Sequence, residues 1–286
     1  MADENLSIFG LRNKRPMNYQ QHPIPFAHRS NDSMFDSLSM DPSVHAPRPT
    51  PAPVPARAAT RLLEERLPFT IGVVTTEAQL LRVQALRATA YGHHLPGLAA
   101  SFARPDPLDL QDDIILFYVE DKQSGALVGS ARIQVNRHQP LQIERSLELP
   151  DELSGRLLSE VTRLTVLPGY NQPVRMALVK ACHIYCIALQ IGGVLAGARR
   201  SLLRQYKNLG FKDLFEDERL VPLAHGGGLE HRILFRDTVT SEAESRANNH
   251  PDYRFVFRTY HPDIRIFDAV AGGMAKPMSD YRARAA

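Results

Sequence analysis

The sequence lacks the long apolar runs and the cysteine pairs that are typical of membrane and secreted proteins. No apolar run approaches the roughly 20 residues that a membrane-spanning helix needs, and the first thirty residues contain no continuous apolar segment that predicts a secretory signal. Only two cysteines occur, Cys182 and Cys186, and a disulfide between residues four apart in one helix would be strained. We therefore expect no integral membrane segment, and buried thiols in a cytoplasmic protein.

Common catalytic and metal-binding motifs are absent as well. The sequence has no His-Glu-x-x-His, Gly-x-Ser-x-Gly or zinc-ribbon pattern. His183, beside the cysteines, has no third and fourth ligand nearby, so no metal is expected. The glycines at 192–193 and 226–228 lack the strand-to-helix context of a nucleotide-binding loop and are interpreted as turns.

The chain carries a small excess of basic residues, with 34 Lys and Arg against 31 Asp and Glu and a formal net charge of +3 at pH 7. Such an excess suits an acidic partner, whether a carrier protein, a phosphate or an anionic membrane, and selects none of them. We expect no nucleic-acid partner.

The composition changes twice along the chain. Residues 1–60 are predicted to form a disordered, Pro-rich tail, because prolines occupy alternate positions from 47 to 55 and favour an extended polyproline conformation. Residues 61–237 are predicted to form the folded domain, and residues 238–286 a C-terminal extension in which 253–260 is expected to be a strand.

Hydrophobic periodicity predicts alternating strands and helices within the domain. The predicted strands are 69–74, 114–120, 127–135, 160–167, 193–198, 220–223 and 230–236. The predicted helices are 76–91, 151–158, 175–191 and 201–209. This order predicts an α/β (α+β) protein with a mixed central sheet flanked by helices.

Five segments carry a resemblance to a known family. They are Arg87-Ala-Thr-Ala-Tyr91, the aspartates 106, 109, 112 and 113, Gly129-Ser-Ala-Arg132, Ser159-Glu-Val-Thr-Arg-Leu-Thr-Val-Leu-Pro168 and Leu203-Arg-Gln-Tyr-Lys-Asn-Leu-Gly-Phe211. Together with the order of elements they resemble the GNAT-fold acyltransferase branch that contains N-acyl amino acid synthases and homoserine-lactone autoinducer synthases. The resemblance covers about residues 69–237 and implies the GNAT fold.

The resemblance implies two catalytic residues for acyl transfer from a thioester to an amine, which needs a neutral amine and a proton for the departing thiolate. Tyr206 is the candidate general acid, and packing beside the thioester arm is the alternative. Glu160 is the candidate base. Strand alternation puts Glu160 and Arg163 on opposite faces unless a bulge intervenes. A surface ion pair worth at most about 1 kcal/mol is the alternative for these two.

The resemblance also implies a set of residues that bind the acceptor. Both Asp106-x-x-Asp109 and Asp109-x-x-Asp112 match the paired-acid spacing of the related families, and we place Asp109 and Asp112 at the amine, with a solvated acidic loop as the alternative. Arg87 and Arg132 are expected to bind the acceptor carboxylate or to order the aspartates through ion pairs, and Arg163 is expected to bind the substrate.

The donor is expected to be a carrier-bound acyl group. Segment 169–175 has one glycine and a proline where coenzyme A enzymes of this fold usually have a Gly-rich turn, so a pyrophosphate cradle at this helix N-terminus is doubtful. Families that use acyl carrier protein share this departure. No permanently bound cofactor is expected; the co-substrate is an acyl-phosphopantetheine thioester, with acyl-coenzyme A as the alternative. The predicted docking residues, with ordinary surface charge as the alternative, are Arg175, Lys180, Arg199, Arg200 and Arg204.

The sequence therefore predicts an N-acyltransferase that joins a fatty acyl group from acyl carrier protein to the α-amine of an amino acid. Three alternatives stay open. One is a homoserine-lactone synthase that uses S-adenosylmethionine, which the absence of tryptophan weakens. The others are an acetyl-coenzyme A N-acetyltransferase and a non-catalytic GNAT-like binding module.

Overall fold

A mixed sheet organises the described part of the chain. The computed structural model describes residues 62–94 and 106–267, which belong to one unit, 58–286. The predicted disordered tail, residues 1–60, lies outside the described residues, as does the end of the C-terminal extension.

The strands and helices follow one another in a fixed order. The strands are β1 (Leu63–Glu64), β2 (Phe69–Val73), β3 (Ile114–Asp121), β4 (Leu127–Val135), β5 (Leu158–Val166), β6 (Gly193–Ala198), β7 (Lys212–Asp213), β8 (Leu220–Pro222), β9 (Glu230–Asp237) and β10 (Thr259–Tyr260). The α-helices are α1 (Glu77–His94), α2 (Asn171–Ala188), α3 (Leu203–Lys207) and α4 (Ser241–Ala247). Single 3-10 turns lie at Pro107–Leu110, Gln142–Arg145, Asp151–Leu153, Arg200–Leu202 and Ala224–Gly226.

The main sheet has eight strands in the order β2-β3-β4-β5-β6-β9-β7, with β8 also paired to β9. Strands β5 and β6 are parallel, and the other neighbours are antiparallel. The predicted fold class, a mixed central sheet flanked by helices, is confirmed. The bounds of β4 and β6 coincide with the predicted ones, and both strands are almost wholly buried.

The two longest helices cover opposite faces of the sheet. Helix α1 packs Leu80 against Ile114, and helix α2 packs Val174 and Leu178 into the cluster that contains Phe117. Ile114 and Phe117 point to opposite faces because side chains alternate along a strand. Buried on both faces, β4 carries Ala131 and Ile133 toward α2 and a polar row toward α1.

Strand β5 departs from regular geometry where it leaves β6. The two strands pair only from Leu158 to Glu160 and from Gly193 to Leu195, after which they have no further ladder pairs. On its other edge β5 has an extra residue between Thr162 and Thr165, opposite Arg132 and Ser130. Arg163 sits in this bulge with φ of 54°, in the left-handed region that non-glycine residues rarely adopt.

Three element predictions need correction. The predicted helix at 151–158 is only a 3-10 turn, and the predicted helix at 201–209 begins as a 3-10 turn and ends at Lys207. The predicted strand at 253–260 is wrong. Residues Arg254–Arg258 form a π-helical turn, and only Thr259–Tyr260 is extended. The alternating aromatics that suggested a strand instead pack Phe255 and Phe257 against the α2-side core.

Contacts with Lys180 hold the turn at Arg254–Arg258 in place. Its side chain is buried, with 3% of the residue exposed, although the sequence predicted it on a docking face. Its ammonium donates to the carbonyls of Phe255 (2.8 Å) and Thr259 and contacts His261 Nδ1 at 2.8 Å. Burial, and next the charge of Lys180, lowers the pKa of His261 to about 4, so its ring is neutral and accepts this bond. Lys180 therefore holds the C-terminal segment to α2.

We expect Lys180→Met to lower the free energy of unfolding by about 1–3 kcal/mol, because it leaves two buried carbonyls without a donor. Burial lowers the pKa of Lys180 to about 8, below its ordinary 10.5. Between these values the unfolded chain holds a proton that the folded chain has released. The Lys180 contribution to the free energy of unfolding therefore rises with pH from about 8 to 10.5.

Urea unfolding from pH 7 to 10.5 measures both effects. The matched control is Lys212→Met, whose side chain is mostly exposed and pairs with Glu244 at 2.6 Å; we expect a change below about 1 kcal/mol. A Lys180→Met protein as stable as the parent, with the same pH dependence, would contradict this role.

Candidate active site

A buried network of charged and polar side chains lies on the α1 face of β4 and β5. Arg132 of β4 is at its centre, with none of its side chain exposed. Its Nη1 donates to Asp106 (2.6 Å) and Asp109 (3.1 Å). Its Nε donates to Thr162 Oγ1 at 2.9 Å, and its Nη2 to Gln142 Oε1 at 3.1 Å. These bonds fix the Arg132 guanidinium in one orientation.

The 3-10 turn after Asp106 presents both acids to the arginines. Asp106 caps this turn by accepting the Leu108 N–H at 3.0 Å, and Asp109 then faces the sheet. Asp109 Oδ2 accepts from Arg87 Nη1 of α1 at 2.5 Å. Burial acts to raise the pKa of Asp106, but the charge and hydrogen bond of Arg132 outweigh it and hold this pKa below its usual value. Both acids are thus ion-paired with the arginines.

Several buried donors beside this network have no partner among residues 62–94 and 106–267. They are Nε and Nη2 of Arg87, Nε2 of Gln84 and the hydroxyl of Ser130. Arg87 is 2% exposed and Gln84 5% exposed, so neither side chain reaches bulk water. Because buried polar groups in folded proteins are nearly always hydrogen-bonded, these donors mark a place where a ligand oxygen can bind.

Glu160 lies on the same face of β5 and is fully buried. One carboxylate oxygen accepts the Ile143 N–H at 2.9 Å, and the other lies 3.0 Å from His225 Nε2. The His225 side chain is 11% exposed, and its Nδ1 is buried without a partner in the described part of the chain. Glu160 Oε1 is therefore within ion-pair distance of the imidazole, although the two atoms are not aligned for a hydrogen bond.

Sequence reasoning missed His225. It comes just before the glycines that were interpreted as a turn, and it lies 65 positions from its carboxylate partner. The separate functional signals were a carboxylate on β5 and a histidine beside a Gly-rich turn. Neither predicts their contact without the β8–β9 connection that brings them together.

The bulge decides where Arg163 lies. In a regular strand its side chain would point to the face opposite Glu160, but the bulge brings Arg163 Nη2 to 3.9 Å from Asp106 Oδ2. Burial, and next the neighbouring charge of Arg132, lowers the pKa of Arg163. The structure therefore groups Arg87, Asp109, Arg132 and Arg163. Asp112 is exposed on the turn before β3.

Tyr206 belongs to the opposite face of β5. It lines a small apolar cleft that is open to solvent, together with Val161 and Leu164 of β5, Val194 of β6 and Phe211. The Tyr206 and Phe211 rings meet edge to face, with centroids 5.6 Å apart. Burial, and next the proximity of Tyr91, raises the pKa of Tyr206 to about 12. Tyr206 therefore stays a neutral hydroxyl donor at physiological pH.

The predicted docking residues do not share one environment. Arg199, Arg200 and Arg204 are exposed around the 3-10 turn and α3, on the segment that carries Tyr206. Arg175 is half-buried in the first turns of α2 and close enough to Tyr206 for its charge to act on the phenol. Lys180 is buried under the C-terminal segment, as described above, and cannot belong to an exposed surface.

The described residues contain neither a metal-binding cluster nor a membrane-spanning helix. No group of three or more His, Cys, Asp or Glu side chains in 62–94 and 106–267 is arranged to hold a metal ion. In the same ranges, no helix is both long and apolar enough to span a membrane.

Solved structures provide the comparison with known proteins. FeeM, an N-acyl amino acid synthase from uncultured soil microbes, is 13% identical with a TM-score of 0.48, covering 61% of this chain and 93% of its own. BjaI, a coenzyme A-dependent acyl-homoserine lactone synthase, is 17% identical with a TM-score of 0.45, covering 71% and 98%. A GNAT-family protein from Desulfovibrio desulfuricans is 12% identical with a TM-score of 0.44, covering 59% and 99%.

The chain is similar in structure to these proteins. At these identities the likeness concerns the arrangement of helices and strands, and the substrates named belong to those proteins. No protein-family model and no curated protein matches the sequence.

Proposed function

We propose that this protein is an N-acyltransferase that moves an acyl group from a phosphopantetheine thioester to the α-amine of an amino acid. One observation carries the proposal: β5 and β6 stop pairing after Glu160 and Leu195, between a buried charged network on one face and an apolar cleft on the other. A thioester arm that enters where the strands part would place its carbonyl between the two sites. The network suits a charged acceptor, and the cleft suits an acyl chain.

The acceptor is an amino acid because the network offers donors for a carboxylate. Asp109 already binds both Arg87 and Arg132, while Arg87 keeps Nε and Nη2 buried and unpartnered among the described residues. A carboxylate can accept both of these N–H groups side by side, as guanidinium–carboxylate pairs commonly do. Asp106 is partly exposed and remains available to the ammonium side of the same molecule.

Two side chains handle the protons in the proposed reaction. The α-ammonium loses a proton to His225, whose charged form Glu160 stabilises at 3.0 Å, and the free amine attacks the thioester carbon. The C–S bond breaks as the C–N bond forms, and the second proton of the amine passes to the departing sulfur, which leaves as the thiol. Tyr206, neutral because its pKa is about 12, donates a hydrogen bond to the sulfur as negative charge develops there.

The donor in this proposal is acyl carrier protein. Arg199, Arg200 and Arg204 are exposed on the segment that carries Tyr206, where an acidic carrier protein would deliver its arm. Segment 169–175 supplies one glycine, with φ of 92° at Gly169, and Pro173 removes an N–H donor in the first turn of α2. This segment is a poor cradle for the pyrophosphate of coenzyme A.

Mass spectrometry of organic extracts from a bacterial host that expresses the chain tests the reaction class. New N-acyl amino acids, absent with an empty vector, are the expected result. Purified protein with an acylated carrier protein then distinguishes the acceptors. Labelled amino acid should enter the product, whereas label from S-adenosylmethionine in a lactone would overturn the proposal in favour of the homoserine-lactone reaction.

Tyr206→Phe is expected to lower the rate of acyl transfer by about 10²-fold, because it removes the hydrogen bond to the leaving sulfur. Phenylalanine keeps the edge-to-face contact with Phe211, so the melting temperature should stay unchanged. The control is a thioester with a more acidic thiol as leaving group, which depends less on protonation and should recover much of the lost rate. Equal loss with both donors would assign Tyr206 a packing role.

A further inference from the structure

The apolar cleft beside Tyr206 contains polar groups that the proposed reaction does not use. Arg236 and Thr238, at the end of β9, line it together with His183 of α2. They face Val161, Val179 and Val194 across the same space. Among the described residues that line the cleft, none is acidic, so the wall carries a positive charge without a matching negative one.

Arg236 is a buried guanidinium without a counterion. The residue is 8% exposed. Its backbone is paired with Val194 of β6, but in the described ranges its guanidinium has no hydrogen bond and no carboxylate within 4.0 Å. Its neighbours are the face of the Phe257 ring, 5.8 Å from the guanidinium carbon, and the backbone at Gly210. Burial lowers its pKa, but an arginine remains charged. A charge buried in this way costs free energy unless something pairs with it.

Two acids in the neighbourhood of Arg236 do not pair with it. Glu244 is close enough for its charge to act on Arg236, but its carboxylate binds Lys212 at 2.6 Å. Asp252 lines a second cavity on the other side of Arg236, beyond ion-pair distance. Neither acid enters the cleft that contains Tyr206.

Thr238 adds a second donor beside Arg236. It is 3% exposed, and its hydroxyl is buried with no hydrogen-bond partner in the described part of the chain. Its backbone is already in use, because its N–H donates to Gly192 and its carbonyl accepts from Ser241. His183 contributes no competing charge, since burial, then Arg236 and Lys180, lower its pKa to about 4. The cleft thus combines one fixed cation and one hydroxyl donor.

We propose, on the basis of the proposed acyl transfer, that the cleft selects an acyl group whose far end is a carboxylate. Its oxygens bind the Arg236 guanidinium and the Thr238 hydroxyl, while the methylene chain lies against the valines and the thioester end lies at Tyr206. The terminal carboxylate takes no part in the reaction: the C–S bond still breaks, the C–N bond forms, and the product is an N-acyl amino acid with a second carboxylate. A methyl-ended chain would leave the guanidinium desolvated and unpaired.

A pair of donors of equal length tests this selection. Adipoyl- and hexanoyl-pantetheine differ only in whether the sixth carbon is a carboxylate or a methyl group. We expect the parent protein to bind adipoyl-pantetheine at least about 10-fold more tightly by calorimetry, as one charged hydrogen bond implies, and to show the same preference in kcat/KM for acyl transfer. Equal binding of the two donors, or tighter binding of the hexanoyl donor, would overturn the proposal.

Two variants locate the effect. Arg236→Met should abolish the preference without weakening hexanoyl binding, and the nearly isosteric Thr238→Val, which spares the packing, should reduce it about threefold. If Arg236→Met instead weakens both donors equally, Arg236 contacts the part that the two donors share, the pantetheine arm, and the carboxylate site is refuted. Selective adipoyl binding without any transfer would uphold this site and count against the proposed reaction. Transfer of both acyl groups at equal efficiency would uphold the reaction and refute the site.

Discussion

Asp109→Ala is expected to lower the free energy of unfolding by about 3–5 kcal/mol, the usual cost of removing one partner from a buried ion pair. Asp109 has no exposed side-chain surface and accepts from both Arg87 and Arg132, whose side chains are 3% and 0% exposed. Without the carboxylate, Arg87 has no acid within 4.0 Å among the described residues, and Arg132 keeps only Asp106. Urea unfolding followed by circular dichroism measures the loss.

The control is Asp151→Ala, an exposed aspartate that also lies in a 3-10 turn, for which we expect a change within about 0.5 kcal/mol. A second test removes the Arg87 charge that Asp109→Ala leaves without its partner. The double variant Asp109→Ala with Arg87→Met removes both ends of the 2.5 Å pair, so it should be more stable than the two single losses add up to. Simple additivity, or a loss no larger than in Asp151→Ala, would show that the network does not stabilise the fold.

The central strands were the most predictable part of the fold. Strand β4 is bounded by the Ser124-Gly125 turn and is buried along its length, so its hydrophobic run and its structural limits coincide. The segment 253–260 was not predictable, because its aromatics alternate as they would in a strand. The interaction that bends it comes from Lys180, more than 70 residues earlier, and no local pattern shows that an amphipathic helix will turn a lysine inward.

The candidate site also has a part that the sequence could predict and a part that it could not. The positions of Arg87, Asp109, Arg132 and Glu160 on neighbouring elements follow from the motif and from strand register, although their roles stay predictions. The contact of Glu160 with His225 depends on a connection between β8 and β9 that the sequence marks only as a Gly-rich turn. The isolation of Arg236 depends on what surrounds the end of β9, since an arginine near a strand end usually reaches water.

The burial of Lys180 and the burial of Arg236 were both missed for the same physical reason. Charged side chains in a sequence are assigned to the surface by default, because burying an unpaired charge is costly. Lys180 avoids this cost by binding carbonyls of its own chain. The Arg236 guanidinium has no such partner among the described residues, so a ligand that pairs with it would stabilise the folded state.

Glu160→Gln is expected to lower the rate of acyl transfer by about 10²- to 10⁴-fold, the range found when a general acid–base group is removed. The amide keeps the shape of the carboxylate, and its oxygen can still accept the Ile143 N–H that Glu160 accepts at 2.9 Å. Its NH2 group can donate to His225 Nε2 if the imidazole adopts the other tautomer. The fold should therefore survive, while the negative charge that stabilises a protonated His225 is lost.

The rate of N-acyl amino acid formation and the melting temperature should be measured on the same preparations, with the exposed Glu152→Gln as the matched control. If Glu160 acts through His225, then His225→Asn should cause a similar loss, and the double variant should be little worse than either single one, because residues that act as a unit are not additive. A Glu160→Gln protein that folds and retains the parent rate would remove this residue from the mechanism and leave the β5 carboxylate with a purely structural part, holding the Ile143 turn against the sheet.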